Sequence, residues 1–156
     1  MGNVLHEISR NYILVTAAAS WLAAQLIKSV VSIVREKRFS PLILMSSGGM
    51  PSSHTSFAVA LSTMVGLNSG FDSTLFAVSA TFSAIIMYDA TGVRQHAGKQ
   101  AAVLNMLIEN LNNPNISLDE KLKELLGHTP IQVMAGAVLG ITIAFIAGTM
   151  VGYIEI

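Results

Sequence analysis

The chain has 156 residues, 52% of them hydrophobic and only 12% charged, with nine cations against nine anions. Soluble domains carry about a quarter charged residues, so an ordinary water-soluble globule is excluded. Zero net charge argues against a nucleic-acid partner, and the lack of cysteine excludes disulfides and thiolate metal sites.

The first apolar run covers 11–34 and carries no charge before Lys28. It is too long for the apolar region of a secretory signal, so a retained membrane span is expected. A polar segment then leads to "GGMPSSHTS", Gly48 to Ser56, which opens the second run at 52–70. The third run, 73–90, closes on Asp89. About 17–25 residues cross a bilayer as a helix, and each run reaches or approaches that length.

The segment 95–127 reads differently. Leu104, Leu107, Ile108 and Leu111 recur at helical spacing, and "NNPN" at 112–115 interrupts them. Ser117-Leu-Asp-Glu120 has the form of a capping box, and Leu118, Leu122 and Leu125 mark one face of a second short helix. Two amphipathic helices on the membrane surface are expected here. The fourth run, 131–154, contains Gly136-Ala-Val-Leu-Gly140 and Gly148-Thr-Met-Val-Gly152. Small residues at this spacing let helices approach closely, which supports packing within the chain and a homodimer equally. The expected fold class is therefore all-α: one integral membrane helical bundle over 1–156, with about four transmembrane helices and two short amphipathic surface helices.

Four spans place both termini on one side and the two longer segments on the other. Lys28, Arg35, Lys37, Arg38, Arg94, Lys99, Lys121 and Lys123 lie on the two-loop side, and only Arg10 lies with the termini. The positive-inside rule puts the two loops in the cytoplasm and the termini opposite.

The reactive residues gather on that same two-loop side. Lys28 and Arg35 close the first span, and His54 opens the second. Asp89, Arg94 and His96 follow the third, and His128 precedes the fourth. Ionisable residues at the ends of spans are costly and mark function. Cations and the start of a helix after Ser52 and Ser53 suit an anionic phosphate. One histidine can attack phosphorus while the other protonates the leaving oxygen. A zinc site from His54, His96, His128 and Asp89 has suitable ligand types but no closely spaced pair.

These residues resemble a known family. Pro51-Ser52-Ser53-His54 is similar to the Pro-Ser-Gly-His motif of the type 2 phosphatidic acid phosphatase superfamily, which is related to vanadium haloperoxidases. "GHTPIQVMAG", Gly127 to Gly136, resembles the end of its third motif, and Lys28 with Arg35 has the Lys-x6-Arg spacing of its first. "GGMPSSH", "YDATGVRQHAGKQAAVLN" and "ELLGHTP" in that order resemble its small divergent branch in bacteria and plants. The resemblance covers roughly Lys28 to Gly140.

The resemblance implies a lipid or isoprenoid phosphate phosphatase that needs no metal or other cofactor. It would sit in a bacterial inner membrane or a plastid-type membrane. His128 would be the nucleophile that forms a phosphohistidine, and His54 the general acid. Lys28, Arg35, Ser52, Ser53 and Arg94 would hold the phosphate, Arg94 standing in for a motif arginine whose position is taken by Leu122. The chain also departs from the pattern at Ser53, where the motif has glycine, and at Glu36, where it has proline. At Gln132 the motif has a carboxylate that orients the nucleophile. Asp89, Glu124, Gln132 and His96 are the expected supporting residues. A non-catalytic membrane protein that keeps the phosphate pocket for lipid binding, scaffolding or transport stays open as the alternative.

Overall fold

The computed structural model describes residues 2–36, 49–110 and 127–154, with side chains for all of these but 2, 35, 36, 94, 95 and 108–110. The described residues form helices α1 (Gly2–Ser9), α2 (Tyr12–Glu36), α3 (Ser53–Ser69), α4 (Thr74–Thr91), α5 (Val93–Asn110) and α6 (Pro130–Val151), and no strand. Local chemistry sets the boundaries. Hydroxyl residues at Ser52, Ser73 and Thr129 cap the starts of α3, α4 and α6 by accepting a backbone N–H from the first turn. Glycines end the same helices at Gly70, Gly92 and Gly152, and at Gly70 and Gly152 φ is positive.

Helices α2, α3, α4 and α6 cover the four apolar runs. Among the described residues, three stretches are long and apolar enough to cross a membrane: Tyr12–Val34, Thr74–Leu107, which continues through α4 into α5, and Pro130–Val151. Helix α3, which covers the second expected span at 52–70, is not among these three. With 17 residues it is about 25 Å long, short of a hydrocarbon core of about 30 Å. The reason lies in its position: α3 packs against α2, α4 and α6. Shielded on three sides, it has little need of an apolar surface, and its buried residues include Ser53, Thr55, Ser56, Ser62 and Thr63.

The bundle is small and polar inside, large and apolar outside. On α2 the buried positions include Ala17, Ser20, Ala24 and Lys28, which recur at three- and four-residue spacing along one face. Leu22, Leu26 and Val30 on the same helix are exposed, as are Phe82 and Ile85 on α4. In water this arrangement would leave the large apolar side chains hydrated. In lipid it is favourable, because helices there associate through close packing and hydrogen bonds rather than burial of apolar bulk. Exposed hydroxyls bond their own helix, as Thr81 and Thr142 do with the carbonyls of Ala77 and Val138, both at 2.8 Å.

The seams are tight. The Ser20 and Ser56 hydroxyls meet at 2.6 Å between α2 and α3, and the Ser83 hydroxyl donates to the Ala58 carbonyl at 2.8 Å between α4 and α3. Between α3 and α6 the glycines decide the distance. A Cβ on Gly136 would collide with the Ser52 carbonyl, and one on Gly140 would lie 2.6 Å from the Ser56 carbonyl oxygen. The first small-residue motif of α6 therefore packs within the chain. Of the second, Gly148 lies against Leu67, while Gly152 ends the helix with φ +80°. The apolar cluster of Ala60, Met64 and Ala144 occupies the far end, with Ile13 and Tyr153 against it.

The expected surface segment is described in part. Helix α5 starts directly after the break at Gly92 and packs, among the described elements, against α4 alone. The second expected surface helix, around 118–125, lies outside the described residues.

Candidate functional site

Three contacts draw the ends of α2, α3, α4 and α6 together on one face. The backbone N–H of His128 donates to the Ala90 carbonyl at 3.0 Å, tying the start of α6 to the end of α4. The N–H of Ser52 donates to the Gln132 carbonyl at 3.0 Å, docking the turn before α3 on the first turn of α6. Gly49, with φ +91°, passes over Lys28 so closely that a Cβ there would lie 3.1 Å from Lys28 Cγ. The glycine lets the loop into α3 cover the α2 lysine, whose side chain is only 3% exposed.

His128 is 5% exposed and sits immediately before the cap of α6. Thr129 and Gln132 form a capping box. The Gln132 side-chain oxygen accepts the Thr129 N–H at 3.0 Å, and the same oxygen lies 3.2 Å from His128 Nδ1. A backbone N–H can only donate, so it fixes the oxygen, not the NH2, at this point. An oxygen here requires Nδ1 of His128 to carry the proton. Nε2 is then the nitrogen on the side of the ring away from Gln132. From the sequence, Gln132 stands in place of a carboxylate and can accept the same imidazole N–H without supplying charge, as this contact has it. The missed signal was Thr-Pro-Ile-Gln at 129–132, a capping-box pattern of the kind recognised at 117–120.

The α3 turn supplies hydroxyls. Ser52 and Ser53 are buried, and Ser52 Oγ accepts from the Thr55 hydroxyl at 3.0 Å and from the Thr55 N–H at 3.4 Å. Thr55 was also missed as a member of this turn. His54, in contrast, is exposed. It lies one helical turn before Ala58, whose carbonyl receives Ser83 of α4. That register sets His54 on the α4 side of the α3 start, near the end of α4 to which His128 is tied.

The other expected residues divide. Asp89 is half-buried, one residue before the Ala90 carbonyl that holds His128. Arg35 stands seven residues, two turns, beyond Lys28 on α2, and Arg94 stands in the first turn of α5. The side chains of both lie outside the described residues, as does all of Glu124. His96 is exposed on α5, along a shallow groove with Lys99, Gln100, Val103 and Leu104. It stands on an element that touches only α4 among the described ones. Among the described residues no three of His, Cys, Asp or Glu are grouped to hold a metal ion, so the zinc arrangement of His54, His96, His128 and Asp89 is not assembled.

A lipid-adapted helical bundle with a polar, histidine-bearing end defines an integral membrane protein. Its sequence matches the model of the Divergent PAP2 family over residues 9–143, and the chain belongs to that family. It is 43% identical over 151 residues to a protein of Bacillus subtilis (strain 168) described as uncharacterized membrane protein YuiD, an alignment covering 90% of this chain and 96% of that one. No solved structure matches the chain.

Proposed function

We propose that this protein is a membrane-embedded phosphatase that hydrolyses a lipid or isoprenoid phosphate through a phosphohistidine. The observation that carries the reading is the setting of His128: buried at the head of α6, with Nδ1 held by the Gln132 side-chain oxygen. Nε2 attacks phosphorus, the ester P–O bond breaks, and His54 gives its proton to the departing alkoxide. Water, deprotonated by the now neutral His54, then attacks the phosphohistidine and releases inorganic phosphate. Lys28 and the Ser52–Ser53 turn oppose the phosphate charge, joined by Arg35 and Arg94. The cation distribution supports an orientation with this face in the cytoplasm.

One observation favours a second reading. The group behind His128 is a neutral amide, which cannot stabilise an imidazolium as a carboxylate does. A protein that binds the phosphate head group without turning it over fits that feature. Phosphate release from alkyl, isoprenyl and diacylglycerol phosphates in detergent separates the two. Wild type is expected to release phosphate, with His128→Ala at background and His54→Ala strongly reduced for substrates with poor leaving groups. Wild type at the His128→Ala level across the series, with the phosphates still bound, selects the second reading.

A further inference from the structure

The α2–α3, α3–α4 and α3–α6 seams are closed by the hydroxyl and glycine contacts described above. The α2–α6 seam is different. A groove of about 720 Å³ runs along it, lined chiefly by Val30, Val31 and Val34 of α2 and Val138, Leu139 and Thr142 of α6. Its remaining wall belongs to the candidate site. Ile27 is the neighbour of Lys28, Pro51 precedes Ser52, and Ala135 precedes Gly136, all three lining the groove. One end of the groove is therefore the phosphate turn. From Ala135 to Thr142 the groove follows α6 for about 10 Å.

We infer that this α2–α6 groove holds the hydrocarbon chain of the phosphorylated lipid, so that the substrate enters sideways from the bilayer with its phosphate beneath Lys28 and Ser52. The inference rests on the phosphate-site reading above. An apolar chain has no reason to leave lipid for a polar site unless its path is apolar throughout, and this groove supplies such a path. The charge is matched too: the lining residue Ile27 directly precedes Lys28 on α2, so an amphiphile with an anionic head fits and a neutral one lacks the head-group contact. Thr142 does not spoil the path, because its hydroxyl is already bonded to the Val138 carbonyl.

The test uses a hexadecyl phosphate with a diazirine in its chain, photolysed with detergent-solubilised full-length protein, and a hexadecanol carrying the same diazirine. Crosslinks from the phosphate probe are expected on 27–34 and 135–142, at least fivefold above those on Phe82 and Ile85 of the outer α4 face. The alcohol should label the groove several-fold less. The chain has no cysteine, so Val138→Cys can be folded first and then alkylated with a bulky maleimide, which should abolish groove labelling. Equal labelling of all lipid-facing helices, equal labelling by the alcohol, or labelling unaffected by the alkylated Cys overturns the inference. Phosphate release is scored separately. Groove labelling without release leaves the groove standing and removes the phosphatase; release without groove labelling does the reverse.

Discussion

Gln132→Glu tests the chemistry at its most unusual point. The substitution keeps the side-chain length and an oxygen at the position that accepts the Thr129 N–H and faces His128 Nδ1, at 3.0 and 3.2 Å. It adds one negative charge beside an imidazole that, in the proposed mechanism, turns cationic on phosphorylation. In serine proteases, replacing the triad aspartate by its amide costs about 10⁴ in kcat, because the histidine is left in the wrong tautomer. That penalty does not apply here. The capping box already holds the amide oxygen towards His128, so the tautomer is correct and only the charge is absent. A hydrogen bond to a charged group contributes about 1.5–3 kcal/mol against about 0.5–1.5 for a neutral one. The difference of about 1–1.4 kcal/mol predicts a five- to tenfold rise in kcat.

The control is Gln132→Leu, which keeps the bulk and removes the oxygen. It frees His128 in tautomer and ring orientation and should lower kcat by at least about tenfold. It also breaks the capping box, at a cost of about 1 kcal/mol in stability. The assay is single-turnover phosphate release at saturating lipid phosphate, with thermal unfolding in the same detergent. A Glu variant with unchanged or lower kcat refutes the assignment of the missing charge as limiting. A Leu variant that loses less than tenfold refutes the tautomer clamp itself.

Gly140→Val should force α3 and α6 apart, since even a Cβ lies 2.6 Å from the Ser56 carbonyl oxygen, and lower stability by about 1–3 kcal/mol in detergent unfolding. Gly152→Ala meets no atom within 4 Å but must hold φ +80°, so it should cost only about 1 kcal/mol. Gly49→Ala combines a positive φ with a Cβ 3.1 Å from Lys28 Cγ, so the lysine must shift and the apparent KM for the lipid phosphate should rise severalfold at little cost in kcat. A cysteine introduced at Lys37 should react with an impermeant maleimide only from the cytoplasmic side of oriented vesicles; reaction from the outer side alone reverses the orientation.

Much of the fold was legible because lipid imposes simple rules. Long uncharged runs must be helices, since every backbone group in the membrane has to be satisfied within its own segment. Gly136 and Gly140 announced a close contact, but the spacing holds no information about the partner. The partner is α3, and what identifies it is α3's hydroxyl-rich, small-residue surface, where the Ser52 and Ser56 carbonyls come up against those glycines. The same composition made α3 look like an ordinary span, when its Ser and Thr content marks a helix enclosed by others. Periodicity cannot separate these cases, because a helix surrounded by helices and a helix surrounded by lipid both lack a polar face.

The site was legible as a list of reactive residues and illegible as an arrangement. Lys28, Ser52, Asp89 and His128 could be assigned to one membrane face by counting spans, yet the couplings between them run through backbone groups that carry no residue signature: Ala90 C=O to His128 N–H, Gln132 C=O to Ser52 N–H, and the bare backbone of Gly49 over Lys28. Gln132 shows what such coupling changes. Taken alone, an amide in place of a carboxylate is a lost charge. Taken with Thr129, it is the third residue of a capping box that fixes its own orientation by satisfying a helix N–H. The stabilisation of α6 and the tautomer of His128 are then two consequences of one oxygen atom. That arrangement keeps the geometric half of the carboxylate's role while giving up the electrostatic half, which is why charge restored at Gln132 should raise the rate by about tenfold at most, far short of the factor lost in a mis-set triad.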